Sequence, residues 1–247
     1  MNEPRNRTAS LAIQELDSFC QGLSAAPSTA WSLPTPCTGW DVAELARHVA
    51  SVAWAQGEAV HRARIGISEA PALTAVPADV ADLQSVVQIA RDHVASALDQ
   101  LGDRPDAIVP LPFAAVPSVL ATQILAIEYG FHRSDLARSL DSEVVLHDQV
   151  ARIAVELMAG LLPIIGTAPL QPVAYRIAPD GGPTTSTAWR DGEWRVGEFE
   201  GEATCEIAGP DAAVALFCYG RVGVEHPSLS VSNEELGAQF KQLFPGP

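Results

Sequence analysis

Apolar residues recur at helical spacing through most of the first 140 residues. Leu11, Ile13, Leu16, Phe19 and Leu23 mark a helix over about Ser10 to Gly22. The stretch 32–39, SerLeuProThrProCysThrGly, is a loop by its prolines and glycine. Asp41 then reads as an N-cap, with Glu44 three residues on completing an Asp-x-x-Glu capping box. Val42, Leu45, Ala46, Val49, Val52 and Ala53 form the apolar stripe of the helix that follows, and His48 lies beside it. A third helix is expected from about Ala78 to Leu101. Residues 107–117 hold too many prolines for a regular helix, and a fourth helix runs from Ser118 to about Leu140. Four helices with short connections predict an antiparallel bundle.

The pattern changes after a fifth helix near Ala151 to Leu162. From Pro172 onward, short β-rich runs alternate with turn signals. AspGly at 191–192 separates two Trp-Arg pairs and predicts a tight hairpin in which Trp189 and Trp194 are partners. Residues 203–207 read as another strand. GlyProAsp (209–211) opens a short helix with Pro210 in its first turn, closed by Gly220. Ser232 and Glu235 predict a second capping box ahead of a final helix. The fold class expected is therefore α + (α+β). Residues 1–145 would form a helix-bundle domain, and residues 146–247 a connecting helix and a small α+β domain.

Composition narrows the partners. With 47% hydrophobic residues among 247, the chain has ample material for a core. Thirty acidic against fifteen basic residues give a net charge of -15, which repels phosphate backbones and argues against nucleic acid. The N-terminus lacks the apolar run of a signal peptide, and the most apolar interior stretch, about 157–170, is too short to span a bilayer. Cys20, Cys37, Cys205 and Cys218 show no Cys-x-x-Cys spacing, so a reducing cytoplasmic setting is expected. No nucleophile elbow, P-loop or dinucleotide fingerprint occurs.

Candidate chemistry sits on the helices. Glu128 lies among Ile124, Leu125, Ile127 and Phe131, where an unpaired carboxylate would be costly. His132 follows one turn later and Asp135 one turn after that, on the same face. No lysine occurs before Leu140 to neutralise Glu128. With His48, these residues make a His₂Glu set, the ligand type of an open catalytic metal site. Asp135 would then orient His132 from behind. By spacing alone an ordinary i,i+4 pair accounts equally well for Glu128 and His132. Cys37, ahead of a helix N-terminus, reads either as a reactive thiolate or as a buried apolar side chain in a packed loop, with the second favoured. His61 and His93 are expected to be exposed, and His147 and His226 to lie near element ends.

Two motifs carry a resemblance. ThrProCysThrGlyTrpAspValAlaGluLeuAlaArgHis (35–48) and GluTyrGlyPheHisArgSerAspLeuAla (128–137) resemble the mycothiol-dependent maleylpyruvate isomerase family. Its members join a DinB-like four-helix metal-binding domain to a sterol-carrier-protein-like domain, and the likeness runs over nearly the whole chain. It implies metal ligation by His48, Glu128 and His132. The segment AlaLeuPheCysTyrGlyArg (215–221) resembles the family's Leu-Trp-Gly-Arg, placing the arginine implicated in activity on Arg221, where it could clamp a carboxylate of thiol adduct or substrate; without the resemblance it reads as a surface arginine after a helix C-cap. Ser134 departs from the family's Trp and would bear on substrate lining; Tyr219 for Trp is milder.

What the resemblance implies is a divalent ion, zinc by preference, with mycothiol as thiol cofactor or cosubstrate. The metal-activated thiolate would add to a small electrophile such as maleylpyruvate. Adding, rotating and eliminating gives an isomerase; stopping after addition gives an S-transferase. The expected state is a monomer or small homo-oligomer with no membrane or nucleic-acid partner. Competing classes are a non-catalytic ligand-binding or regulatory protein with a structural metal, and a hydrolase or lyase using metal-bound water.

Overall fold

The computed structural model describes residues 3–73, 76, 79–102, 104–142, 146–197 and 204–245. The chain divides into two compact units, Met1–Val145 and Leu146–Pro247. Helices and sheets are mixed, with seven α-helices and two sheets among the described residues.

The N-terminal unit contains α1 (Glu3–Ala25), α2 (Val42–Ile65), α3 (Val80–Leu101) and α4 (Ser118–Ser139). Helix α2 packs along α3 and α1 along α4, with further contact of α1 on α3 and α2 on α4. Gly57 permits the close approach of α2 to α3: a Cβ there would lie 2.6 Å from His93 Cδ2 and 3.0 Å from the Val94 Cα. The box at the start of α2 forms in full, Asp41 Oδ1 accepting from the Glu44 N–H at 2.8 Å and Glu44 Oε2 from the Asp41 N–H at 3.0 Å. Helix α4 is buried on nearly every face between Leu125 and Ala137, so its polar His132, Ser134 and Asp135 are drawn inside together with its apolar residues. The segment that could not be helix is a β-hairpin, β1 (Ile108–Leu111) with β2 (Ala114–Pro117), in antiparallel register. Its inner faces are apolar, with Val109, Leu111 and Val116 buried.

The C-terminal unit begins with α5 (Asp148–Ile165) and continues through β3 (Ala174–Pro179), β4 (Thr185–Arg190), β5 (Glu193–Val196) and β6 (Cys205–Gly209). It ends with α6 (Asp211–Cys218), β7 (Ser230–Val231) and α7 (Glu234–Leu243). The sheet order is β5-β4-β3-β6-β7; among the described strands only β3 and β6 run parallel. That parallel pair needs a crossover, so β6 lies inside the sheet while β5 becomes an edge. The β4–β5 turn places Asp191 and Gly192 at φ 53° and 85°, the backbone of a type I′ turn. Trp189 pairs with Trp194 across it, their rings 5.7 Å apart. An aromatic core of Tyr175, Trp194, Phe217, Phe240 and Phe244 lies between this sheet and α7.

Several local expectations are corrected. Pro210 is the N-cap of α6 rather than a first-turn residue. Asn233, not Ser232, caps α7, its side chain accepting from the Leu236 N–H at 3.1 Å. Ser232 is drawn into the sheet instead: its N–H donates to the Glu206 carbonyl and its Oγ accepts from the Glu206 N–H at 2.7 Å. His61 and His93 are half-buried, not exposed, and His93 stacks on Trp54 at 4.4 Å. Ala78 and Ala203, at the expected starts of α3 and β6, lie outside the described residues. Among the described residues no helix is long and apolar enough to cross a membrane.

Candidate metal centre

The capping box at Asp41 fixes where α2 begins, and thereby the height at which His48 emerges. On α4, 3.6-residue periodicity stacks Glu128, His132 and Asp135 along one face. The two helices bring side chains 80 residues apart into contact. His48 Nε2 lies 2.9 Å from Glu128 Oε1, and His132 Nε2 lies 3.2 Å from the same oxygen. The imidazoles meet edge to face, their centroids 4.8 Å apart. Behind His132, Nδ1 lies 3.1 Å from Asp135 Oδ2.

The set is graded from wet to dry. The His48 and Glu128 side chains are 31% and 26% exposed, while His132 is 7% and Asp135 1% exposed. One edge is therefore open to solvent and the other is held by protein. Burial alone would raise the Glu128 carboxyl, but the neighbouring His132 and His48 outweigh it and hold the group well below the usual carboxylate range. Burial alone would lower His132; the charge of Glu128, together with the imidazole's hydrogen bonds to Asp135 and Cys37, instead lifts it well above the ordinary imidazole value.

The donor set fits a divalent ion. Two imidazole nitrogens and a carboxylate oxygen are ligand types that zinc accepts, and tetrahedral ligands at ~2.1 Å from an ion stand about 3.4 Å apart. The observed 2.9 and 3.2 Å separations are already of that order. Carboxylates only accept, so His132 donates from Nδ1 to Asp135 and from Nε2 to Glu128; an ion taking the place of the Nε2 proton would leave the Nδ1 proton on Asp135. All three ligand atoms lie within 4.8 Å of one another.

Two residues of the loop before α2 belong to the site more closely than expected. Trp40 lies over His48, ring centroids 4.7 Å apart, and 6.2 Å from His132. Cys37 is half-buried with a polar partner, not an apolar filler: its thiol points at Asp135 Oδ2, 3.3 Å away. The only sequence signal for this was the compact Pro-Cys-x-Gly-Trp motif directly ahead of the box. Ser134, expected near substrate, is 1% exposed, with its Oγ unpartnered among the described residues. It therefore packs inside the unit rather than facing an open surface.

Arg221 belongs to the C-terminal unit, just past α6. Its Nη1 donates to the Tyr219 carbonyl at 3.1 Å. Lys241, the chain's single lysine, passes beside it: its Cε lies 3.0 Å from the Cβ that Gly220 lacks. Burial, and then the charge of Arg221, lower the Lys241 ammonium. This corner is cationic in a strongly acidic chain.

Comparison with known proteins follows the same lines. Over 94% of both chains the fold is similar to the crystal structure of the mycothiol-dependent maleylpyruvate isomerase and to that of a histidine-to-alanine mutant of it, each with a TM-score of 0.63 and 14% identity. No curated protein matches by sequence. Residues 9–137, which contain His48, Glu128 and His132, match the mycothiol maleylpyruvate isomerase N-terminal domain. That match spans just over half of the chain, and the chain belongs to the mycothiol maleylpyruvate isomerase family.

Proposed function

We propose that this enzyme is a metal-dependent isomerase that uses mycothiol and acts on a small conjugated electrophile of the maleylpyruvate kind. The observation that carries the metal is the convergence of His48 Nε2 and His132 Nε2 on one oxygen of Glu128. The family supplies the thiol and the reaction class. In this reading the N-terminal helices are a DinB-like four-helix bundle, residues 146–247 hold a sterol-carrier-like domain, and the protein works in the cytoplasm as a monomer or small homo-oligomer.

His48, Glu128 and His132 would hold the ion. An ion such as zinc held there would supply Lewis-acid chemistry that favours a thiol in its nucleophilic, deprotonated form. Asp135 would keep His132 in the tautomer that can ligate. Trp40, packed on His48, would restrict that ring to one orientation. Arg221 would hold a carboxylate of the substrate or of the thiol through its planar fork. Mycothiol would be both consumed and regenerated: its thiolate adds to the double bond, whose π electrons pass onto the conjugated carbonyl as an enolate, the resulting carbon–carbon single bond rotates, and collapse of the enolate expels the thiolate and restores the double bond in the opposite geometry.

The test begins with elemental analysis of purified protein, expected to find about one equivalent of a divalent metal per chain. Mycothiol and maleylpyruvate are then added and product geometry is followed by NMR. Conversion that needs both metal and thiol, with thiol returned unchanged, is the expected result. A metal-free protein, or a loaded one that leaves maleylpyruvate untouched, would falsify the reading; a stable thiol adduct would replace isomerase by S-transferase. Arg221→Lys should lower kcat/KM roughly tenfold or more, because a lysine lacks the bidentate fork, while metal content stays unchanged.

A further inference from the structure

The loop ahead of α2 reaches His132 from the side that Glu128 does not touch. Cys37 Sγ lies 3.3 Å from Asp135 Oδ2, and that same oxygen lies 3.1 Å from His132 Nδ1. The carboxylate can only accept, so the thiol and the imidazole N–H both donate to it. With Asp135 1% exposed, water does not compete for this oxygen. Nδ1 and Nε2 lie on different edges of the imidazole ring. Cys37, which also hydrogen-bonds His132 from this side, is therefore a neighbour behind the ligand, not a fourth ligand beside Glu128.

The thiol is held where it is by the loop itself. Thr35 Oγ1 accepts from the Cys37 N–H at 3.2 Å, and the Trp40 N–H donates to the Cys37 carbonyl at 3.0 Å. The Thr35 N–H donates to the Trp40 carbonyl at 2.9 Å, and Pro34 bridges to Asp41, the cap of α2. The loop that sets His48 through α2 thus also touches the support of His132. We propose that Cys37 is a positioning residue of the metal centre. Its thiol fixes the Asp135 carboxylate in the rotamer that holds His132 with Nδ1 protonated and Nε2 directed at the ion. This inference rests on the metal reading given above.

Zinc affinity, measured by chelator competition, tests it on the wild type, Cys37→Ala, Cys37→Val, Cys37→Ser, Asp135→Asn and the Cys37→Ala/Asp135→Asn double variant. Asp135→Asn should weaken binding by about 10–100-fold, as loss of an outer partner does, and Cys37→Ala or Cys37→Val by about tenfold. Serine donates to the same oxygen and should restore affinity to within roughly threefold of wild type. Because Cys37 and Asp135 support the same face of His132, the double variant should lose less than the product of the two single losses. The visible spectrum of the cobalt-substituted protein should change in Cys37→Ala and return in Cys37→Ser. A general loss of packing would not show that pattern, and the two apolar variants guard against one of them failing to fold. Wild-type affinity in both apolar variants, serine as weak as alanine, or losses that multiply in the double variant would overturn the role of Cys37. A wild type that binds no metal would overturn the metal reading instead. If His48→Ala abolishes binding and Cys37→Ala leaves it intact, the metal reading stands and only Cys37 falls.

Discussion

Inside the N-terminal unit the buried polar side chains include Glu15, Gln56, His132 and Asp135, set among alanine, valine and leucine. Inside the C-terminal unit the interior is aromatic, and its buried polar side chains among the described residues are Thr187 and Asp211. Charge in a low-dielectric interior is costly unless it is paired, so each buried ion of the first unit should have an identifiable partner. Glu15 has Arg133, a pair joining α1 to α4. Tyr129 and Gln56 satisfy each other between α4 and α2 at 2.5 Å. Glu128 differs from these pairs, because two imidazoles share one of its oxygens and a quarter of its side chain stays open. A closed pair is sufficient for structure. A half-open convergence of three candidate ligands of two types is more than structure needs, and that difference is what motivates the proposed metal centre.

The sharpest way to break the comparison is Glu128→Ala. If Glu128 is a ligand, bound metal and isomerase activity should both fall to background, while the fold, followed by circular dichroism, persists. A variant that unfolds and keeps its metal would make Glu128 one more structural partner like Glu15.

Phe240→Ala is the converse. Phe240 is fully buried and touches Tyr175, Phe217 and Phe244, at ring-centroid distances of 5.3, 5.5 and 4.8 Å. Truncation should cost about 3–5 kcal/mol of stability. Hydrogen exchange, which resolves the two units, should place that loss in residues after 146 and leave metal content unchanged. Glu15→Gln should cost slightly less, about 3 kcal/mol, because Arg133 keeps some solvent when its partner loses charge. Its loss should appear in α1 and α4, and zinc affinity should hold.

How much of this was legible in the sequence depends on how local each feature is. The Asp41–Glu44 box and the Asp191–Gly192 turn are encoded within four residues, and both form as the pattern specifies. The β1–β2 hairpin was visible only as an absence of helix, because proline removes helical signal without supplying a strand signal in its place. At Ser232 a real capping signal was outcompeted: the edge of the sheet used its hydroxyl, and Asn233 one residue on served the helix. The triad was readable because two motifs mark both helices, although its members are 80 residues apart. Cys37 was misjudged for the opposite reason. Its partner Asp135 is 98 residues away, and no local pattern reveals a thiol aimed at a buried carboxylate.

The smallest effect sharpens the comparison most finely. Asp41 and Asn233 are both N-caps that accept from a backbone N–H in the first turn, at 2.8 and 3.1 Å. Replacing either with alanine should cost about 1 kcal/mol of stability. The consequences should then diverge. Asp41 starts the helix that carries His48 two turns later, and it also bridges to Pro34 in the Cys37 loop. Fraying that end should move both sides of the centre, so Asp41→Ala should weaken zinc binding measurably. Asn233 starts α7, a scaffold helix over aromatic residues, so Asn233→Ala should leave zinc affinity at the wild-type value. Equal loss of stability with equal zinc affinity in both variants would mean that the first unit holds its ligands through packing alone, and that the cap is structural in both places.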